Sequence, residues 1–321
     1  MSDHDALLEQ LRPRAFAIAY RMLGTVSEAE DVVQESLLRV HQNADSLENP
    51  VAFVTTVTTR LAITALQSAR VRRETYVGDW LPEPIVSDGD PASRAELGDD
   101  ISLALLVTLE TLSPEQRAAL LLHDVFGYDY AHIAEIIGVS ASNARQLTSR
   151  ARTHVHERRP RFAVSREQQD ELVRRFFAAA EQGDLEGLER LLAEDVTMRG
   201  DGGGKVPALG RTVVGRMRVA KTLSNGTRAF ARIQGLNWRP VEVNGGPGAL
   251  YLDGDGRVIG VIGLTLVDGL VVSVDSIVNP DKLQHVGEVG DAAALLRSAH
   301  PTADRHPTSA TSGDRRGSDL D

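Results

Sequence analysis

A short polar segment of this chain carries side chains that could recognise nucleic acid. Hydroxyl, amide and guanidinium groups are the donors that proteins use to contact DNA base edges and phosphates. Such groups crowd the stretch 141–152, which we expect to be an exposed helix. The side chains predicted to contact DNA are Ser142, Asn143, Arg145, Gln146, Ser149, Arg150 and Arg152.

A helix-turn-helix is the element that would position these side chains. The apolar stretch 118–122 is followed by Ile133, Ala134, Ile136 and Ile137 on one helical face. Gly138 can adopt the left-handed conformation that ends a helix, and Ser140 can cap the next one. An ordinary helical hairpin is the alternative, but the excess of arginine in the second helix favours DNA binding.

The charge distribution supports two separate DNA contacts. The net charge is −10, which argues against indiscriminate binding of nucleic acid. Locally, residues 145–161 hold six Arg and one Glu, and residues 51–73 hold four Arg and no carboxylate. Residues 74–135 carry thirteen Asp and Glu against two Arg, so an acidic stretch separates the basic ones. Each basic run could instead be a solvated helix face.

Composition limits the class of protein. A chain of 321 residues fits two or three domains. It contains no Cys, which excludes disulfides and thiolate metal sites and suits a reducing compartment. No segment approaches the ~20 apolar residues of a membrane helix, and residues 1–14 lack the apolar run of a signal peptide. We therefore expect a soluble cytoplasmic protein without membrane contact.

Residues 1–73 are predicted to form a first all-α module. Helical apolar spacing stops at Gly24-Thr25, and a second helix is expected to begin at Ser27, with Glu30 completing a capping box. A third helix is expected from Pro50 to about Arg73. On the second helix, three- and four-residue spacing predicts one exposed side that carries Asp31, Gln34 and Glu35.

An acidic linker, residues 74–100, is predicted to separate this module from a second all-α module, residues 101–161. Within the linker lies the pentapeptide Trp80–Pro84 (WLPEP). A tryptophan and a leucine in so polar a stretch favour docking on another surface over exposure to water.

Residues 166–285 are predicted to form an α+β domain. Two helices precede strands at 241–243, 249–252, 258–267 and 270–278, and these are expected to pair as a curved antiparallel sheet. Asp268-Gly269 is typical of a two-residue hairpin turn, and residues 253–256 (DGDG) predict another turn. Residues 298–321 have the composition of a disordered tail.

The two helical modules together resemble extracytoplasmic-function sigma factors of bacterial RNA polymerase, over residues 1 to about 160. The resemblance implies that the second helix binds the core polymerase through Asp31, Gln34 and Glu35. It implies that the third helix reads the minus-ten promoter element and the helix-turn-helix reads the minus-thirty-five element. The minus-ten contacts would be Arg60, Thr64, Arg70, Arg72 and Arg73. Thr64 departs from the family, which often has Asp in that stretch.

The motifs WLPEP (80–84), DGGGK (201–205) and NPDKL (279–283) resemble three signatures of a subgroup, the SigJ type, in which a SnoaL-like domain is fused to the sigma factor. The implied fold is two all-α sigma modules followed by an α+β SnoaL-like or NTF2-like cone. The fused domain would then control activity, so no separate anti-sigma factor is expected. The interdomain regulatory residues would be Trp80, Leu81, Pro82, Asp201, Gly202, Gly203, Gly204, Lys205, Asn279, Pro280, Asp281, Lys282 and Leu283.

SnoaL-like folds also resemble isomerases and cyclases, so catalysis must be weighed. Such sites place a carboxylate base inside the cone, and the residues that could serve are Asp195, Asp201, Asp275, Tyr251 and His285. They form no recognisable constellation. Residues 201–205 (DGGGK) are not a phosphate loop, because Arg199 and Val206 stand where that motif requires Gly and Ser or Thr.

We therefore expect no enzyme activity, no cofactor and no metal site; His154 and His156 have no partner ligands in the sequence. We expect the chain to direct promoter-specific initiation with core RNA polymerase, under the control of the fused domain. Docking of WLPEP on that domain would fix how the DNA-binding modules sit relative to each other. The alternatives are a stand-alone helix-turn-helix regulator, or a fused domain that senses or converts a small apolar ligand.

Overall fold

A computed structural model describes residues 3–87, 102–156, 166–230, 233 and 235–299. The first module consists of three long helices. Apolar residues recur on their facing sides, so α1 packs on both α2 and α3. Their bounds are α1 (Asp3–Leu23), α2 (Val26–Asn43) and α3 (Pro50–Glu74), with a 3-10 turn (Ala44–Ser46) before α3.

The predicted capping box at Ser27 is wrong. Helix α2 begins at Val26, and the N-cap residue is Thr25, whose side chain caps no main-chain N–H. Instead, Thr25 Oγ1 donates a hydrogen bond to Glu28 Oε2 at 2.8 Å. A carboxylate from outside the helix, Glu83, accepts from its first N–H groups.

The second module contains the predicted helix-turn-helix. Its four helices are α4 (Leu103–Leu109), α5 (Pro114–Asp124), α6 (Tyr130–Ile137) and α7 (Ala141–His156). Gly138 ends α6 in the left-handed region with φ 75°, and Ser140 Oγ accepts from Asn143 N at 3.2 Å. Both predicted roles, at the turn and at the cap, are confirmed.

The two helical modules share one hydrophobic core. Leu106 and Leu109 of α4, and Ala151 and Val155 of α7, lie in the same cluster as the buried faces of α1, α2 and α3. The helix-turn-helix has a second small core of its own around Ile133. The two modules are therefore packed against each other and are not independent domains connected only by the linker.

The C-terminal domain is built on a seven-stranded sheet of order β1-β4-β5-β6-β7-β2-β3. The strands are β1 (Val86–Ser87), β2 (Leu192–Asp201), β3 (Val213–Val214), β4 (Asn237–Val243), β5 (Gly246–Leu252), β6 (Val258–Val267) and β7 (Leu270–Ile277). The helices are α8 (Arg166–Gln182), α9 (Leu185–Leu191), α10 (Arg216–Phe230) and α11 (Ala292–Ala299), with a 3-10 turn at Pro280–Lys282.

The four predicted strands pair antiparallel as expected, whereas β2 pairs with β7 in parallel. The sequence patterns also missed β1, β2, β3 and α10. The hairpin prediction is confirmed: Asp268 and Gly269 have φ values of 49° and 76°, and β6 and β7 pair on either side of them. Both residues at positive φ are what a primed turn between twisted strands requires.

The two faces of this sheet have different coverings. Helices α8, α9 and α10 pack on one face around Phe176 and Val274. Leu81 of the linker and Leu103 of α4 lie on the other face, against Val241 and Ile277. The linker also supplies β1, which pairs with β4 at the sheet edge. The fused domain is thus held directly against the helical modules.

The element bounds differ from the sequence-based ones at two places. Helix α11 packs near Val206 and Ile259 beyond the expected end at residue 285, and it includes Ser298, which was assigned to the tail. Residues 88–101 of the linker, 157–165 and 300–321 lie outside the described residues. None of the described helices is long and apolar enough to cross a membrane.

Candidate functional site

The polar face of α7 is open to solvent. Ser142, Asn143, Arg145, Gln146, Ser149 and Arg150 are all exposed. On the opposite face Ala144, Thr148 and Ala151 are buried, because α7 packs there on α5 and α6. The helix therefore presents its hydrogen-bonding side chains on one surface, which is the geometry that major-groove recognition needs.

Arg152 differs from its neighbours on α7. Its guanidinium forms an ion pair with Asp124 at the end of α5, with Nε 3.0 Å from Asp124 Oδ2. Burial opposes ionisation of Asp124, but hydrogen bonds from Arg152 and His123 outweigh it and lower the pKa of the carboxyl. Arg152 thus ties α7 to α5 within the module.

The basic side chain of α3 that was predicted to contact DNA lies against the helix-turn-helix. Arg60 Nε donates to Ile136 O and Arg60 Nη2 donates to Glu135 O, both at 2.9 Å. These carbonyls belong to the last turn of α6, where a cation stabilises the helix dipole. Thr64 is exposed and donates to Arg60 O. The side chains of Arg70, Arg72 and Arg73 lie outside the described residues.

Two further arginines join the helical modules. Arg14 of α1 donates to Tyr128 Oη at 3.3 Å and lies 5.4 Å above the Phe126 ring. Arg117 of α5 is 1% exposed and donates to Met22 O at 2.7 Å. Met22 lies in the last turn of α1, so Arg117 satisfies a carbonyl of the first module from the second.

The predicted polymerase-binding residues share the solvent-facing side of α2. Asp31 and Gln34 are exposed, and Glu35 is half-buried. Arg39 Nε donates to Glu35 Oε1 at 2.8 Å. Leu38, also on this helix, is 50% exposed although it is apolar. The face therefore combines acidic and amide groups with an uncovered leucine, as a protein-binding surface often does.

The linker docks on the fused domain through a buried ion pair. Lys282 Nζ lies 2.7 Å from Asp201 Oδ2, and Asp201 and Lys282 are 0% and 5% exposed. The same oxygen accepts from Leu81 N at 2.8 Å, while Lys282 lies 4.0 Å above the Trp80 ring. Main chain and side chain of the linker are thus both held by this pair.

Tyr76 completes the junction. Its hydroxyl donates to Asp201 Oδ1 at 2.5 Å and accepts from Asn279 Nδ2 at 2.8 Å. Burial, followed by the hydrogen bond and the negative charge of Asp201, raises the pKa of Tyr76. The phenol therefore keeps the proton that it donates.

The three glycines of DGGGK allow this close packing. A Cβ on Gly203 would lie 2.4 Å from Asn279 Nδ2, and one on Gly202 would lie 2.0 Å from Val206 O. Gly203 and Gly204 also have positive φ. Lys205 pairs with Asp281 at 2.7 Å in an exposed position.

The other end of WLPEP contacts the first module. Glu83 N donates to Gly24 O at 2.8 Å, and the Tyr20 hydroxyl donates to Glu83 O at 2.6 Å. Asn244 of the fused domain donates to Tyr20 Oη at 2.7 Å. His285 Nε2 donates to Pro84 O at 2.8 Å. The linker is therefore a bridge between the first module and the fused domain.

Sequence reasoning missed several residues of this bridge. Tyr20 and Asn244 make contacts between segments distant in sequence, so no local motif marked them, and the contact of the Glu83 carboxylate with α2 was not predicted from the WLPEP motif. The sequence marks Asn244 only indirectly, because the stretch Asn244–Gly246 is typical of a turn. Asn244 does lie at a positive φ of 51°. Arg117 was not predicted because its partner in the first module is the main-chain carbonyl of Met22, 95 residues away in the sequence.

The residues considered for catalysis do not all meet at one place. Asp201 and Arg199 lie two apart on β2, and Arg199 pairs with Asp275 at 2.7 Å. The carboxylates of Asp201 and Asp275 therefore lie on the same face of the sheet, the face covered by the linker. Asp195 is exposed, and His285 contacts the linker. Tyr251 lines a cavity on the helix side, and no carboxylate is among the cavity-lining residues in the described part of the chain.

Comparison with known proteins places these features in a family. The model described as "Sigma-70 region 2" matches residues 7–72, and "Sigma-70, region 4" matches residues 102–155. The chain is 39% identical over 286 residues to the ECF RNA polymerase sigma factor SigJ of Mycobacterium tuberculosis, covering 85% of this chain and 91% of that protein. It is 33% identical over 291 residues to the probable ECF RNA polymerase sigma factor SigI of that species, covering 88% and 97%.

The crystal structure of M. tuberculosis SigJ superposes with a TM-score of 0.71 at 37% identity, over 86% of this chain and 96% of that one. The fold, with its two helical modules, defines a sigma-70-type transcription initiation factor with a fused α+β domain. The chain belongs to the extracytoplasmic-function sigma factors. The predicted family and the predicted fold class, two all-α modules followed by an α+β domain, are confirmed.

Proposed function

We propose that this sigma factor is held closed by contacts between its own modules and that its fused domain maintains the closed arrangement. In the open state α2 binds core RNA polymerase through Asp31, Gln34 and Glu35. Helix α3 then contacts the minus-ten element and α7 the minus-thirty-five element. The fused domain does the work of a separate anti-sigma factor and carries out no catalysis of its own.

The contact of Arg60 with α6 is the observation that carries this proposal. The two promoter elements are roughly 25 base pairs apart by their names, which is roughly 85 Å of B-DNA at about 3.4 Å per base pair. Helices α3 and α6 instead meet at hydrogen-bonding distance. While α3 is held against the helix-turn-helix, α3 and α7 cannot contact their two promoter elements at the same time. The modules must therefore separate before the promoter is recognised.

The shared core supports the same conclusion. Separating the modules exposes apolar residues of α4 and α7 that pack against α1, α2 and α3. Exposure of apolar surface costs about 25 cal/mol per Å², so polymerase and promoter contacts must offset that cost. Helix α4 adds a link to the fused domain, because Leu103 packs on its sheet. The fused domain thereby raises the cost of opening.

In vitro transcription tests the proposal. Core polymerase is supplied with the full chain or with a Lys282→Met variant, in which the linker loses its buried anchor. The proposal predicts promoter-directed transcripts from both and more from the variant. Equal transcription by the two would show that the junction does not restrain activity. Absence of transcription and of polymerase binding by both would contradict the sigma assignment of the sites.

A small apolar ligand of the fused domain is a second candidate for part of this control. The cavity between the sheet and α11 is lined by apolar and aromatic side chains, including Phe230, Tyr251 and Leu296. Such a lining suits a nonpolar molecule. A hydrophobic fluorescent probe that binds the wild type but does not bind an Ala292→Trp variant would support this candidate. Equal probe binding by both would count against it.

A further inference from the structure

The polymerase-binding helix α2 lacks a cap of its own. The first N–H groups of any α-helix have no partner inside the helix, and the N-cap side chain usually supplies one. Here the N-cap is Thr25, whose side chain accepts from no main-chain N–H; its hydroxyl donates to Glu28. The N–H groups of the first turn therefore need a partner from elsewhere.

Glu83 of the linker is that partner. Its Oε2 accepts from Val26 N at 2.7 Å and from Ser27 N at 3.4 Å. The residue is 6% exposed, so little water competes for these groups. A carboxylate at this end of a helix also interacts favourably with the helix dipole, most strongly where it is partly buried.

The fused domain holds Glu83 in place. Downstream of it, His285 donates to Pro84 O, and Asn244 accepts from Ile85 N at 3.1 Å through its side chain. Upstream, Asp201 and Lys282 hold Leu81. The segment that caps α2 is therefore bound to the first module through the Glu83 main chain and to the third domain on either side of Glu83.

We propose that Glu83 is a positioning residue for polymerase binding, acting through α2. This proposal rests on the proposed function, in which α2 binds the core enzyme. The two ends of WLPEP then have opposite effects. The Trp80–Leu81 end restrains the sigma factor through the Asp201–Lys282 pair, whereas the Glu83 end keeps α2 ordered and competent. The linker segment is part of the polymerase-binding unit, and it stays on the first module when the fused domain lets go.

Full-length Glu83→Ala, Glu83→Gln and Glu28→Gln variants test the proposal. Glu28 is the acidic residue in the first turn of the same helix, and its carboxylate accepts from Thr25 Oγ1, so Glu28→Gln is the control for loss of a negative charge at this turn. Amide hydrogen exchange at Val26 and Ser27 reports the cap directly. Affinity for core RNA polymerase and for minus-thirty-five DNA reports function.

Loss of one cap has a typical effect of roughly fivefold on a local equilibrium. We therefore expect Glu83→Ala to speed exchange at Val26 and Ser27 and to weaken polymerase binding by about that factor, with DNA binding unchanged. Glu83→Gln keeps an acceptor oxygen but no charge, and should lose about twofold to threefold. Glu28→Gln should behave as wild type. If Glu83→Ala does not fold, amide exchange and polymerase affinity of Glu83→Gln test the proposal.

Unchanged exchange and polymerase affinity in Glu83→Gln and Glu83→Ala would overturn the proposal, provided that the wild type binds the core enzyme. An equal loss in the Glu28→Gln control would also overturn it, because the effect would then belong to the whole turn. If the wild-type chain does not bind core polymerase, the proposed function fails first. Exchange at Val26 and Ser27 would still report whether Glu83 caps α2.

Discussion

Arg60 of α3 donates its Nε hydrogen to the carbonyl oxygen of Ile136 at the end of α6. One guanidinium thus joins the helix assigned to the minus-ten element and the first helix of the helix-turn-helix. The same group cannot hold α6 and a DNA phosphate at once. Under the proposed function, promoter DNA and the closed arrangement therefore compete for Arg60, and the strength of the closed contacts determines how readily the sigma factor engages its promoter.

Arg14→Ala should favour the open form without touching a residue assigned to DNA. The change removes the hydrogen bond to Tyr128 and the contact with the Phe126 ring. Such cation–π contacts contribute about 0.5–2 kcal/mol, so polymerase binding should tighten roughly fivefold. Equilibrium binding to core enzyme measures this. Arg12→Ala is the control, because Arg12 pairs with Glu30 inside the first module. Weaker or unchanged binding by Arg14→Ala would contradict the role of this contact.

Lys282→Met and Lys205→Met should differ sharply, although both lysines lie 2.7 Å from an aspartate. The first change leaves Asp201 buried without its cation, and breaking such a pair costs about 3–5 kcal/mol. The second breaks an exposed pair with a typical contribution of about 0–1 kcal/mol. Chemical denaturation of the two variants compares them. Similar unfolding free energies would mean that the junction is not anchored by the Asp201–Lys282 pair.

Two arginines on α7 should have separable effects. Arg150 is exposed, so Arg150→Ala should weaken DNA binding at every sequence and reduce the salt-dependence slope by about one. Arg152 is paired with Asp124, so Arg152→Ala should act mainly by loosening α7 from α5. Binding titrations over a range of salt concentrations, with melting curves alongside, separate the two. If Arg152→Ala reduces the salt-dependence slope of DNA binding by about one and leaves the melting temperature unchanged, Arg152 contacts DNA phosphate rather than holding α7 to α5.

The Asp124 pair also predicts a pH dependence. Because the pKa of Asp124 is lowered in the folded state, its stabilising contribution is complete above the ordinary aspartate pKa of about 3.9. It is lost as the pH falls through the lower folded-state value. Melting temperatures of wild type and Asp124→Asn should therefore differ near neutral pH and converge under acid. A difference that grows as the pH falls would have the wrong sign.

Asp31→Ala and Gln34→Ala should weaken core polymerase binding while leaving binding of minus-thirty-five DNA unchanged. Both side chains are exposed on α2, so their removal should not alter folding. Glu48→Ala removes another exposed carboxylate of the first module and serves as the control. Co-elution with core enzyme in gel filtration is the measurement. Equal losses with Glu48→Ala would mean that general charge, rather than this face, is responsible.

Much of the helical part could be predicted because its signals are local. The turn at Gly138 and the cap at Ser140 depend on residue types within a few positions, and hydrophobic spacing marks each helix. The start of α2 could not be predicted in this way. Its cap comes from Glu83, 57 residues along the chain from Val26, whereas Ser27 and Glu30 offered a local capping box that the structure does not use.

The C-terminal domain shows the same limit. Asp268-Gly269 marked its hairpin, but the parallel pairing of β2 with β7 depends on segments about 75 residues apart. The three motifs at Trp80, Asp201 and Lys282 indicated an interdomain site, and these residues do meet. The direct contact of the two helical modules through Arg60 and Arg117 had no counterpart in any motif, because both partners are main-chain carbonyls.

The central claim is that the two helical modules are packed together in the free protein and separate on the promoter. Since the chain contains no Cys, cysteines introduced at exposed Gln10 of α1 and His154 of α7 provide a unique pair of fluorophore sites. Energy transfer between them should be high in the free protein. It should fall strongly when core polymerase and promoter DNA are added, because the elements lie roughly 85 Å apart. Transfer that stays unchanged while the labelled protein initiates transcription would contradict the account.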